Sequence, residues 1–358
     1  MTSATKIGIG FFAIIVVVAL WLSTLGSTPA PLRPAESVST STSADATTSS
    51  TLPVLSGAVS DFPGIVRWWN TPNNQPLTAN GLTGKVVLVD FWTYSCINCL
   101  RTLPFVRSLQ SQYADKGLVI IGVHTPEFAF EADPTNVDAA IKKLGLTYPI
   151  ALDANYQTWN AYQNQYWPAE YLFDRQGRLR HTQFGEGDYD VTEQAIRSLL
   201  NEGTSTVALG ATVPVPVMPN FSLIGTNETY FGLARGQAFE NAGGPHAQAT
   251  QYTAIQHPSA DQWTAGGTWS FQNEYAESLA QNNVFRFNVQ ASQAHLVLSS
   301  SDGKDKRIEI SIDGEPSQTL TINAPTLYTV ARFTKPGRHE IEIKIDDAGV
   351  RFYSATFS

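Results

Sequence analysis

The sequence predicts an α/β sandwich followed by an all-β sandwich or jelly roll, with a transmembrane helix at the N-terminus. Three patterns carry that expectation. The run Val86-Val87-Leu88-Val89 is apolar and mostly β-branched, without alternation, and Leu100, Leu103, Val106 and Leu109 follow at helical spacing. That describes a strand covered on both faces and leading into a helix. From Val284 onward, short segments alternate apolar and polar residues between turn pairs, the pattern of antiparallel sheet. Ile7 to Gly26 is one largely apolar run, about as long as a hydrocarbon core of roughly 30 Å requires.

With 358 residues the chain is long enough for two domains. Hydrophobic residues make up 42% and charged residues 15%, so packed cores are affordable while the surface stays unusually neutral. The formal charge is −8 and no Lys/Arg cluster appears outside short loops, which argues against nucleic-acid binding. A structural zinc needs about four ligands, and a single C-x-x-C pair does not supply them, so no metal is expected.

The N-terminal segment 1–26 has two readings, a retained anchor or a cleaved secretory signal. Trp21 near the far end suits a membrane interface and favours the anchor, while Thr24-Leu25-Gly26 offers a small-residue cleavage site. Lys6 on the cytoplasmic side places the remainder outside the cytoplasm in either case, tethered to the cell membrane or secreted. Residues 27–58 are nearly all Ser, Thr, Ala and Pro, and cannot bury enough apolar surface to offset their ordering entropy. They read as a disordered tether.

Residues 59–203 carry the α/β pattern. Ile65-Val66 through Trp69, then Leu77, suggest a hairpin before Gly84-Lys85 opens the central strand. Leu118 to Val123 is a second buried strand. Val137, Ala140, Ile141 and Leu144 mark a helix that Gly145 ends. Asp174-Arg175-Gln176-Gly177 is a turn between strands, and Thr192 reads as the cap of a final helix bearing Ala195, Ile196, Leu199 and Leu200. The stretch 204–219, with Pro214, Pro216 and Pro219, reads as a semi-rigid connector. Residues 220–358 then form the β-domain, its strands separated or bounded by Asp302-Gly303, Asp313-Gly314 and Pro336-Gly337.

Cys96 and Cys99 are the only cysteines, and they fall where a strand stops and a helix begins. Unpaired N–H groups and the positive end of the helix dipole favour a thiolate there, and the C-x-x-C arrangement tunes its reactivity. A purely structural disulfide across so short a loop would constrain the unfolded chain little. Asp90, inside an apolar run, is expected to be buried with a raised pKa and to shuttle a proton towards Cys99.

At these residues the chain resembles the thioredoxin superfamily, which implies a thioredoxin-like sandwich around a central mixed sheet. Asp90 lies six residues before Cys96 and Pro104 eight after it, as in that superfamily, and Trp92 is close to its characteristic tryptophan. Tyr166-Trp167-Pro168-Ala169 resembles the cis-proline loop that faces the thiols. The segments Phe91 to Cys99, Gly122-Val123-His124-Thr125-Pro126-Glu127 and Phe184-Gly185-Glu186-Gly187-Asp188-Tyr189 are most similar to extracytoplasmic TlpA/ResA-like and DipZ-like proteins. Tyr148 to Asp153 resembles the extra βα segment of that branch, and the β-half its carbohydrate-binding-like domain. Ile97-Asn98 departs from the Gly-Pro of thioredoxin itself.

The resemblance implies a thiol–disulfide oxidoreductase in which Cys96 attacks, Cys99 resolves, and a redox-active Cys96–Cys99 disulfide replaces any other cofactor. It implies Asp90 and Glu127 as catalytic groups, and Trp92, Tyr94, Trp167 and Pro168 as client-binding ones, with His124 a further flanking candidate. Its expected partners are protein thiols or disulfides, as in cytochrome c maturation, and an upstream DsbD/CcdA-like membrane electron donor. Two other functions compete. Thr93-Tyr94-Ser95-Cys96 has the T-x-x-C spacing of peroxiredoxins, although Val89 stands where those want a proline. Trp263, Trp269 and Tyr275 are candidates for a sugar-stacking platform in a glycan-binding or adhesion module.

Overall fold

The computed structural model describes residues 52–55, 57–203 and 207–358. The predicted anchor or signal and most of the tether lie outside them. No helix among the described residues is long and apolar enough to cross a membrane.

The first half contains β1 (Arg67–Trp69), β2 (Val86–Trp92), α1 (Ile97–Tyr113), β3 (Leu118–His124), α2 (Pro134–Leu144), β4 (Ile150–Leu152), α3 (Gln157–Ala161), β5 (Ala169–Phe173), β6 (Leu179–Phe184) and α4 (Tyr189–Leu200). Six strands form one mixed sheet in the order β1-β4-β3-β2-β5-β6. The pairs β2–β3 and β3–β4 are parallel, and β1, β5 and β6 run antiparallel to their neighbours. Every residue of β2 is buried, as its unbroken apolar run requires, because apolar clusters cover both faces of the sheet. Gly122 sits where an added Cβ would lie 2.7 Å from Ile150 and 3.0 Å from Trp92 and Tyr148, so only glycine allows that approach.

Four local expectations need correction. β1 forms no hairpin: it pairs with β4, far along the chain, while short 3-10 turns occupy Pro72–Asn74 and Asn80–Leu82. Thr192 caps nothing, because α4 begins at Tyr189 after Asp188, and the Thr192 hydroxyl bonds Glu170 at 3.2 Å instead. The end of the tether is docked. Leu55 N–H and Val59 N–H donate to Leu179 and Gly177 carbonyls at 2.8 Å, and the Arg180 guanidinium binds the Leu52 and Pro53 carbonyls. The proline-rich connector is likewise packed rather than spanning: Leu209 and Val213 join the core beside α1 and α4, and Val213 N–H donates to Glu193.

The second half contains β7 (Thr229–Tyr230), β8 (Thr250–Tyr252), β9 (Trp263–Phe271), β10 (Ala276–Ser278), β11 (Asn283–Ser300), β12 (Lys306–Ile312), β13 (Glu315–Ile322), β14 (Thr326–Ile345) and β15 (Val350–Phe357). Strand pairing is antiparallel throughout. The predicted strands at 284–289 and 295–298 fuse into β11. Its first part pairs with β9 and its second with β15, so one bulged strand links the sheet's two portions around an aromatic core. Asp313 and Gly314, both at positive φ, form the two-residue turn from β12 to β13. Pro336-Gly337 is no strand end. It falls at a bulge inside β14, where the register jumps between the pairs Ala291–Gly337 and Gln293–Arg332.

The halves meet through side chains. Phe128 and Phe130 of the loop after β3 pack on Tyr353 of β15, with ring centroids at 5.2 and 4.9 Å. Glu274 accepts from Ala129 N–H, and Glu127 accepts from the Tyr230 hydroxyl at 2.6 Å and the Arg235 guanidinium at 2.9 Å.

Candidate active site

Cys96 occupies the N-cap position of α1, and its sulfur accepts the Cys99 N–H at 3.4 Å. One of the helix's otherwise unpaired donors thus points at this sulfur, an arrangement that stabilises negative charge on it. Cys96 is half-buried and Cys99 lies in the core at 1% exposure, both as free thiols. Burial pushes the Cys99 thiol up, and the Cys96 sulfur and the Asp90 carboxyl push it further. The outer sulfur is therefore the more open of the two, and the inner one the harder to ionise.

Asp90, from the middle of β2, is buried at 1% and leaves one carboxylate oxygen without a partner. Burial holds its pKa well above the carboxylate range, with Glu170 across the β2–β5 pair adding to the rise. Glu170 is pushed up to about 7 by its own burial. Two buried acids thus face each other across β2 and β5, the first of them acting on Cys99, and the sequence pattern pointed only to that first one. The signal for Glu170 was present, an acid inside the apolar strand Ala169–Phe173, as Asp90 is inside β2.

A third buried acid supports the loop before Cys96. Glu131 accepts from Ser95 N–H at 3.2 Å and Ser95 Oγ–H at 2.6 Å on one oxygen. On the other it accepts from Glu127 N–H at 2.6 Å and Phe128 N–H at 3.0 Å. Burial raises its pKa to about 7 against the pull of these donors. Nothing in its spacing in Phe128-Ala129-Phe130-Glu131 announces that position. His124, at the end of β3, is fully buried and kept neutral, its pKa pushed down to about 3. Its Nε2 accepts Tyr94 N–H at 3.3 Å and lies 3.3 Å from the Thr93 hydroxyl.

Trp92 and Tyr94 are corrected by their burial. Trp92 is wholly enclosed, edge-on to His124 at 5.0 Å, and Tyr94 stacks on His124 at 5.5 Å with 5% exposure. Neither is among the residues lining the cavity at Cys96. Trp167 and Pro168 share a cis peptide, and the Trp167 ring is held by its N–H to the Thr125 carbonyl at 3.1 Å. Trp167 and Glu127 face the same cavity as Cys96, although Glu127 is already engaged by Tyr230 and Arg235. Thr93, the threonine of the T-x-x-C spacing, is fully buried, and its hydroxyl lies 3.3 Å from His124 Nε2. Trp263 and Trp269 are core residues at 1% and 0% exposure, and Tyr275 packs on Tyr353. None of the three forms an exposed stacking platform. Among the described residues no group of three His, Cys, Asp or Glu side chains is disposed to hold a metal.

The cavity over Cys96 has a volume of about 350 Å³ and two walls. Ile97, Asn98, Arg101, Glu127 and Trp167 supply one, and Phe221, Thr226, Glu228, Tyr230 and Arg235 of the second half face them. Arg101, one turn into α1, is held by both oxygens of Glu186, at 2.8 and 2.5 Å.

Residues 60–200 match the family model described as Redoxin, and residues 226–358 the one described as Thioredoxin like C-terminal domain. Protein DipZ of Mycobacterium tuberculosis is 38% identical over 84% of this chain, which spans 43% of that relative's length. Thiol-disulfide oxidoreductase YkuV of Bacillus subtilis is 32% identical over 36% of this chain and 87% of its own. The chain belongs to the thioredoxin superfamily. Within it this is a TlpA/DipZ-like protein. A solved thioredoxin-like protein in the oxidized form is 30% identical, with a TM-score of 0.38, over 41% of this chain and 97% of that one.

Proposed function

We propose that this protein exchanges disulfides with protein clients outside the cytoplasm, tethered to the membrane by its N-terminal apolar run. In the reducing direction the Cys96 thiolate attacks a client S–S bond, forming a mixed disulfide and releasing one client thiolate, which takes up a proton. Cys99 then gives up its proton, for which the ionised form of the buried Asp90 carboxyl is the proposed acceptor, and attacks the Cys96 sulfur. The second client thiol leaves and the Cys96–Cys99 disulfide remains, two electrons having passed to the client. A membrane electron donor of the DsbD/CcdA type would restore the dithiol, and apocytochrome thiol pairs are one client class.

The observation that supports this reading best is the asymmetry of the pair: Cys96 capping α1 and open to the cavity, Cys99 buried behind it. Cys96→Ser is expected to abolish reduction of a protein disulfide without unfolding the chain. Cys99→Ser is expected to accumulate a covalent client adduct visible on non-reducing gels. Undiminished turnover by Cys96→Ser would overturn the assignment.

A further inference from the structure

The second half of the chain stands directly over the reactive thiol, and this geometry limits what can reach it. We propose that the β-half acts as a selectivity wall, so that the cleft takes a disulfide borne on an extended or unfolded polypeptide segment and refuses one on a folded protein surface. The proposal rests on the thiol–disulfide reading above and narrows its substrate class.

The size of the opening points that way first. At about 350 Å³ the cavity is near the lower end of the roughly 300–1,000 Å³ usual for small-ligand sites. A folded partner docking face to face buries about 800 Å² on each side. To deliver a disulfide to Cys96, a convex domain would have to displace Phe221 and Glu228, which lie exposed along the far wall. A single strand of chain, with its narrow cross-section, meets no such obstacle.

The walls are also fixed relative to each other. Glu127 bonds Tyr230 and Arg235 across the gap, Glu274 holds Ala129 N–H, and Phe128 and Phe130 pack on Tyr353. Because Glu131 clamps the Glu127–Phe128 segment to Ser95, the wall and the Cys96 loop are one connected structure. The cleft is therefore not opened by the simple swing of a loose appendage.

Its lining suits a peptide better than a small anionic disulfide. Arg101 is already taken by Glu186 and Arg235 by Glu127, so both cations that face the cavity are neutralised. Asn98 and Asn227 offer uncharged hydrogen-bonding groups, and Trp167 and Phe221 offer apolar surface, a mixture matched to polypeptide.

The test uses the pre-reduced full chain and three clients with a dithiol regenerating the enzyme. They are bis(2-hydroxyethyl) disulfide, a folded protein with one surface disulfide, and the proteolytic fragment of that protein carrying the same disulfide. The expected kcat/KM for the folded client is at least about tenfold below that for the fragment. Phe221→Gly, which thins the wall, should narrow that ratio several-fold, each variant being normalised to its own rate on the small disulfide. Equal rates on fragment and folded client would overturn the proposal, as would a ratio that Phe221→Gly leaves unchanged. Failure to reduce even the small disulfide would instead overturn the oxidoreductase reading, so the two failures are distinguishable.

Discussion

Glu131 is the residue on which the geometry of the reactive loop most depends, and Glu131→Ala is the perturbation that measures it. The carboxylate serves four donors, the N–H and Oγ–H of Ser95 and the N–H groups of Glu127 and Phe128. The Ser95 hydroxyl can rotate to a new acceptor, which leaves three backbone donors stranded. A buried donor left unsatisfied costs about 1–3 kcal/mol. At the lower rate the loss is about 3 kcal/mol, within the range that marks a broken buried network. Glu131→Gln keeps one acceptor oxygen but turns an amide NH2 towards the other donors, so about half that loss is expected. Guanidinium unfolding with an unchanged m-value measures both. The kinetic companion is the rate at which Cys96 attacks a small disulfide, which should fall in the same order, Ala more than Gln. A cost under about 1 kcal/mol for Glu131→Ala, or equal harm from the two substitutions, would refute the reasoning.

Other consequences follow from the same buried groups. Asp90→Ala removes a carboxyl with an unpaired buried oxygen, so the fold should become more stable, while resolution of the mixed disulfide slows by about ten- to a hundredfold, as expected for a lost proton acceptor. Single-turnover traces showing the adduct decaying at the wild-type rate would count against it. Burial pushes the Glu170 pKa up to about 7 from its ordinary 4.5, so between those values the folded state holds more protons and this group's contribution falls as pH rises. The stability difference between wild type and Glu170→Gln should decline across that window, by at most about 1.4 kcal/mol per pH unit, and a rising difference would contradict it. Using the difference cancels the opposing slope from His124 and His295, whose pKa values burial lowers. Tyr353→Ala removes the ring that meets Phe128, Phe130 and Tyr275, and should cost about 3–5 kcal/mol by calorimetry or denaturant titration.

The amino-acid sequence by itself determined the parts whose causes are local. The run Val86 to Val89 predicted a strand with both faces covered, the spacing after it put the thiols at the start of a helix, and the acid inside that run was expected to be buried, as each is. The β-half's alternation likewise implied antiparallel pairing before any partner was known. Tertiary structure alone decided what depends on contacts between distant segments. It paired β1 with β4 rather than with a neighbour, drew Thr192 into a helix to meet Glu170, and set Glu131 beneath Ser95. It also sank Trp92 and Trp263 into cores and stood Tyr230 and Arg235 over Cys96. Periodicity records which face of an element is apolar, but not which other element will cover it. The chemistry of the thiol pair was therefore legible along the chain, and the shape of its entrance was not.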